Sequence, residues 1–204
     1  MKGHFTKLLA LVALVASTAR AESPDPGLVN VNSISYAGTG CPAGSVAGNI
    51  SEDARAFTVL FDAYTAEAGP GLALREGRKA CVLNIDLHIP QGWQYSILTV
   101  DTRGFLNLER GTSAFQQNKY YFQGDLRSST KRSDFYGPLV KDYTVRDLIG
   151  IESLVWSPCG VNRSLNVATS AGVMANSGRR ALATVDSIDG EFKLIYGINW
   201  RHCQ

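Results

Sequence analysis

The 204-residue chain carries 20 lysines and arginines against 18 acids, a formal net charge of +2, with 45% hydrophobic and 19% charged residues. Three of the basic residues, Lys2, Lys7 and Arg20, fall in the first 21 positions, which hold no acid, so residues 22–204 contain 17 basic and 18 acidic side chains. A net charge of −1 without a basic stripe excludes the electrostatic footprint of a nucleic-acid binder.

Met1 to Ala21 reads as a secretory signal peptide, cut after Ala21. Lys2 and Lys7 make the basic start, Leu8 to Ala16 the apolar run, and Ala19-Arg20-Ala21 the small-x-small site. The run is shorter than the roughly 20 residues that span a bilayer, and Trp200 to Gln204 lacks the apolar tail of a lipid-attachment signal. The expected product is one domain, residues 22–204, secreted or wall-associated, with no membrane anchor. Its length suffices for a sizeable core.

Strand signals then follow along the chain. Weak ones cover Val29 to Tyr36 and Ala56 to Phe61. From Cys81 to Ile89 the odd positions are apolar while Asn84, Asp86 and His88 stand between them, the period of a half-buried strand. Pro90-Gln91-Gly92 turns the chain into a second strand, in which Trp93, Tyr95 and Ile97 alternate with Gln94 and Ser96, until the phase slips at Leu98 and Val100, which points to a bulge or to burial on both faces. Phe105 to Leu108 and Gln117 to Phe122 read as further strands, Arg127 to Asp134 as the most exposed polar loop, and Asp142 to Leu148 as a short helical turn. Leu154 to Trp156, Leu165 to Thr169 and Leu182 to Asp186 complete the weaker strands. After the turn signal Asp189-Gly190, the stripe Phe192, Leu194, Tyr196, Ile198 and Trp200 closes the series. The pattern predicts an all-β chain, an antiparallel β-sandwich of about ten strands.

Cys41, Cys81, Cys159 and Cys203 make an even, widely spaced set for an oxidising compartment, which predicts two disulfides. Three pairings are possible. Cys41 with Cys81 and Cys159 with Cys203 is the one that closes sequence-local loops, each worth roughly 4 kcal/mol in the chain-entropy model. No Cys-x2-Cys or Cys/His spacing points to zinc.

The strings Gly40-Cys41-Pro42-Ala43-Gly44-Ser45, Gly69-Pro70-Gly71, Pro90 to Ile97, Leu154 to Gly160, Asp186 to Gly190 and Trp200-Arg201-x-Cys203 resemble the secreted DUF4360 family, a domain of unknown function common in filamentous fungi. The resemblance covers nearly all of residues 22–204. It implies small secreted proteins with these four cysteines, and it carries over no catalytic residues.

Among chemical motifs, Asn84, Asp86 and His88 on one strand face form the sharpest cluster, with neighbours about 7 Å apart. Asp-x-His suits a metal or a base with its orienter, but the wetted face of an antiparallel sheet is the preferred reading. The remaining histidine of the domain, His202, adjoins a half-cystine. No Gly-x-Ser-x-Gly elbow supports a serine nucleophile, and a Glu22 start lacks the N-terminal histidine of a copper oxygenase. A glycosidase needs two carboxylates about 5 to 10 Å apart, for which Asp62, Asp86, Asp101 and Glu109 are the candidates weighed. Asp186 to Gly190 fits a turn better than a calcium loop, and Trp93, Trp156 and Trp200 fit core positions better than sugar platforms.

Asn49-Ile50-Ser51 and Asn162-Arg163-Ser164 are N-glycosylation sequons. Lys131-Arg132 and Arg179-Arg180 are dibasic pairs that a Golgi processing protease could cut; a cut after Arg132 would split the domain between the proposed disulfide loops, so an uncut solvated loop is the reading there. No cofactor or metal is expected. The reading is a non-catalytic extracellular protein meeting a cell-wall glycan or an extracellular protein; the alternative is a glycan-active hydrolase built on a carboxylate pair.

Overall fold

Alternating sequence becomes strand along most of the chain in the computed structural model, which describes residues 24–50, 52, 56–148, 155–176, 178–185 and 194–203. The signal segment 1–21, the turn at 186–190, Leu154 and Phe192 lie outside the described residues. The strands are β1 (Asn30–Ala37), β2 (Val46–Ile50), β3 (Ala56–Phe61), β4 (Thr65–Ala68), β5 (Arg78–His88), β6 (Trp93–Leu108), β7 (Ser113–Phe122), β8 (Ser129–Tyr136), β9 (Leu139–Leu148), β10 (Leu165–Met174), β11 (Ala181–Thr184) and β12 (Leu194–His202). Two 3-10 turns, η1 (Pro26–Leu28) and η2 (Leu74–Gly77), interrupt them.

One sheet has the order β1-β5-β10-β7-β8 and the other β2-β3-β12-β6-β11-β4, with β9 on the free side of β6. The pairings are antiparallel. Two facing antiparallel sheets make the expected β-sandwich. On β5, Cys81, Leu83, Ile85 and Leu87 are buried while Val82 and His88 are exposed, as period two requires. The expected bulge is present: Gly197 pairs with Thr99 and Ile198 with Ile97, which makes Leu98 the extra residue of β6.

Several expectations are corrected. Residues 129–136 form β8 rather than a loop; it is a sheet edge whose inward positions Ser129, Lys131 and Ser133 are polar, so its alternation is muted. Asp142 to Leu148 belongs to β9 rather than a helix, its inward series Leu139, Tyr143 and Val145 being disguised by Lys141 and Asp147. Val155 and Trp156 are not in a strand. Their segment runs beside β6 instead, with Ser157 N–H donating to Tyr95 O (2.9 Å) and Ser96 Oγ to Val155 O (2.8 Å). The two strands expected within 93–108 are one, β6, which pairs with β12 over 93–102 and with β9 over 99–108 and so runs on through Gly104. β2 and β4, short and rich in Ala and Gly, gave no alternating signal.

The interior divides in two. One apolar cluster gathers Phe61, Tyr64, Leu83, Ile85, Tyr95 and Trp200 with their neighbours, and a smaller one Leu106, Leu108, Ala114, Tyr143 and Val173 with theirs. Buried Thr102, Gln116 and Asn118 form a polar bridge in the interior, Gln116 Nε2 donating to Asn118 Oδ1 (2.7 Å) and Asn118 Nδ2 to Thr102 Oγ1 (2.9 Å). Such buried side chains are tolerated because they bond one another. The disulfides are Cys41–Cys81 and Cys159–Cys203. No helix among the described residues is long and apolar enough to cross a membrane.

Candidate functional site

A recess of about 670 Å³ lies where β5 begins. Its first wall follows from local sequence. Pro70 and Gly71 occupy the middle of a turn closed by Leu72 N–H to Gly69 O (3.2 Å), with Gly71 at φ 83°, the conformation that a Pro-Gly pair adopts in a type II turn. The chain then enters η2, which Glu76 N–H to Ala73 O starts (2.9 Å) and which the ion pairs of Glu76 with Lys79 (2.5 Å) and Arg75 (3.2 Å) brace. This conformation turns Leu72 and Leu74 away from the core: they are 40% and 100% exposed.

The facing wall is the end of β10, Val173 and Met174, followed by Ala175, Asn176 and the turn into β11 at Arg179. Met174 is 66% exposed. Asn176 is fixed by its Nδ2, which donates to Gly111 O (3.0 Å), and Arg179 N–H closes the turn onto Asn176 O (3.0 Å). Arg180 N–H donates to Glu109 Oε2 (3.1 Å), whereas the Arg179 guanidinium stands 4.0 Å from that carboxylate, beyond hydrogen-bond distance. Among the described residues Asn176 and Arg179 are the polar side chains of the lining; the others are Ala, Gly, Pro, Val, Leu and Met.

A shallower recess of about 200 Å³ shares Ala68 and Leu72 with the groove and is lined by Glu67, Glu109 and Arg180. At the far end of β5, a third of about 290 Å³ is lined by His88, the Pro90-Gln91-Gly92 turn, Trp93 and Asn162. There Trp93 stacks on His202 (centroids 4.0 Å apart).

The residues singled out in the sequence are distributed differently. Asn84 Nδ2 donates to Asn166 Oδ1 (3.0 Å), Asp86 Oδ2 accepts from Asn32 Nδ2 (3.3 Å), and His88 is exposed opposite Asn30. That is the wetted sheet face. Among the described residues no three His, Cys, Asp or Glu side chains gather as a metal site would require. Asp62 is exposed, and Asp101 is held by Arg146 through bonds of 2.6 and 2.5 Å. Glu109 shares its recess with Glu67, which the sequence had not put forward. Trp200 is buried, while Trp93 and Trp156 are half-buried against the core, Trp156 beneath the Arg201 guanidinium at 4.0 Å. Asn162 is exposed; Asn49 lies in the edge strand β2, paired with Thr58.

The family model for a domain of unknown function, DUF4360, matches residues 28–203. The chain belongs to this family. An uncharacterized secreted protein of Arthroderma benhamiae is 41% identical over 182 residues, covering 89% of this chain and 74% of that protein. This DUF4360 chain is likewise secreted, the compartment in which two disulfides persist. A solved structure of TmCBM61 in complex with beta-1,4-galactotriose covers 84% of the chain and 90% of its own length at 10% identity, with a TM-score of 0.28, below the level at which two chains share a fold.

Proposed function

We propose that this DUF4360 protein acts outside the cell without catalysis, as a binding protein that meets its partner through the groove between η2 and the β10–β11 turn. The observation that supports the reading is the chemistry of the lining. Leu72, Leu74 and Met174 stand exposed around a recess whose side chains, among the described residues, include no carboxylate, imidazole, thiol or hydroxyl. Such a surface offers apolar area to a partner and no group able to move a proton or attack a bond.

The hydrolase reading has one point in its favour, the two glutamates of the 200 Å³ recess. Incubation of the purified protein with a polysaccharide panel separates the two. The binding reading expects no release of reducing ends; release that disappears in Glu67→Gln and Glu109→Gln would establish the hydrolase instead. We further propose cleavage after Ala21 and N-glycosylation at Asn162 and Asn49, which N-terminal sequencing and the mass change on deglycosylation test. The exposure of Asn162 supports its use.

A further inference from the structure

We infer that the occupant of the η2 groove is an acidic polypeptide segment bearing large apolar side chains, supplied by another extracellular protein. The inference rests on the binding reading above and adds the chemistry of the partner. Two independent features of the groove lead to it, its apolar walls and the sign of its rim.

The walls come from segments about 100 residues apart in sequence, so the recess is a property of the folded chain and not of one loop. The exposed apolar side chains elsewhere, Leu28, Val82, Leu126, Tyr136, Val140 and Val161, belong to other stretches of the chain; Leu72, Leu74 and Met174 converge on one recess. A concave apolar lining accepts inserted side chains, as grooves that bind peptides do. Among the described residues it carries no aromatic ring, so they offer no stacking platform of the kind a sugar uses.

The rim is basic although the domain is not. Residues 67–79 and 173–180, the two stretches that contain the groove lining, hold five basic and two acidic side chains, against a net charge of −1 for residues 22–204. Glu76 is engaged by Lys79 and Arg75, which leaves Arg78, Arg179 and Arg180 against Glu67 in these stretches. Arg110 and Arg180 make no ion pair among the described residues, and Arg179 is only loosely held by Glu109. Asn176, bonded to Gly111, ties the Arg110 turn to the groove wall. Carboxylates flanking an inserted apolar side chain meet these guanidinium groups in the bidentate geometry that arginine favours. Charge of this kind selects the partner and speeds encounter.

Selection from a displayed library of random dodecapeptides tests the inference directly. The secreted wild-type protein should enrich peptides rich in both Asp/Glu and Leu, Ile, Met or Phe. A selected peptide, made synthetically, should bind at least about tenfold more weakly when its acids are changed to lysine. Its binding should also weaken as ionic strength rises to about 1 M, where the Debye length is about 3 Å. Leu72→Asp with Leu74→Asp should abolish enrichment, and Arg179→Glu with Arg180→Glu should remove the acid excess from the enriched pool. Val140→Asp, an exposed apolar position on β9, should change neither, and secretion yield with thermal unfolding shows that each variant folds. No enrichment by the wild type, a pool without an acid excess, or the same pool from the Leu72/Leu74 variant overturns the inference. So does retention on anionic vesicles that Leu74→Asp removes, which would make the occupant a lipid surface. Each of these results leaves the non-catalytic reading standing, whereas reducing-end release defeats that reading without touching the peptide result.

Discussion

Asp101 and Asp147, both near the β6–β9 pairing, are one carboxylate held by a partner and one pushed by burial. Arg146, opposite Asp101 in register, grips its carboxylate from both oxygens and holds it below the usual range, the hydrogen bonds outweighing the burial that opposes them. Burial raises Asp147 instead, with Lys131 and Asn118 pulling the other way. For Asp101 the folded state binds fewer protons than the unfolded state, so its contribution is complete above the ordinary aspartate value of about 3.9 and is lost as pH falls through the lowered folded value. For Asp147 the sign reverses: ionisation costs the folded state at neutral pH, and the cost begins to shrink as pH drops through the raised folded value and is gone below the ordinary aspartate value of about 3.9. Asp101→Asn should therefore lower the thermal midpoint at neutral pH and Asp147→Asn raise it, with both differences shrinking toward about pH 2. Midpoint differences that hold constant across a pH series would contradict this account. Gly104 gives a steric counterpart. A Cβ there would stand 2.1 Å from Thr184 O and 2.7 Å from the Tyr143 ring, so Gly104→Ala should cost about 1–3 kcal/mol in denaturant unfolding. Neither site was legible in the sequence, because a lone Asp or Gly acquires its meaning only from the strand laid beside it.

Strands with one apolar face were legible, and strands with polar inward positions were not. β5 announced itself because Cys81, Leu83, Ile85 and Leu87 all face the core. β8 and β9 hid because they close the side of the sandwich with Lys131, Ser133 and Asp147 among their inward residues. The assignment of β8 changes the reading of the dibasic pairs. Lys131 and Arg132 sit in the β7–β8 ladder, opposite Asn118 and Gln117, whereas Arg179 and Arg180 are exposed at the β10–β11 turn. A protease needs an extended, accessible segment, and opening a ladder costs more than admitting an exposed turn. A dibasic-specific protease added to the native protein should cut at Arg179-Arg180 before Lys131-Arg132. The gel pattern distinguishes them. Products of the first cut lie within the Cys159–Cys203 loop and separate only after reduction, while a cut after Arg132 falls between the two disulfide loops and separates without it. Early fragments on a non-reducing gel would return β8 to the status of a loop.

Across the whole molecule, the sandwich and its disulfides could be read from alternation and cysteine spacing, but the groove could not. Leu72 and Leu74 look like ordinary loop residues until Met174 and Arg179 are brought to face them, and no periodicity encodes that meeting. The two disulfides look equivalent in sequence, with separations of 40 and 44 residues, and the chain-entropy model assigns each about 4 kcal/mol. The fold makes them unequal. Cys41 and Cys81 are buried in the larger apolar cluster, whereas Cys159 and Cys203 are half-buried beyond the end of β12. Replacing a buried pair by serine adds hydroxyls that must leave water, at about 1–3 kcal/mol for each one left unbonded; at the half-buried pair water still reaches them. Urea unfolding should therefore find Cys41→Ser with Cys81→Ser less stable than Cys159→Ser with Cys203→Ser, although the loops lost are nearly the same length. Replacement by alanine should narrow the difference, since it removes the hydroxyls and keeps the loss of the cross-link. Equal destabilisation by the two serine pairs would mean that loop closure alone governs both bridges and that the core has no part in the difference.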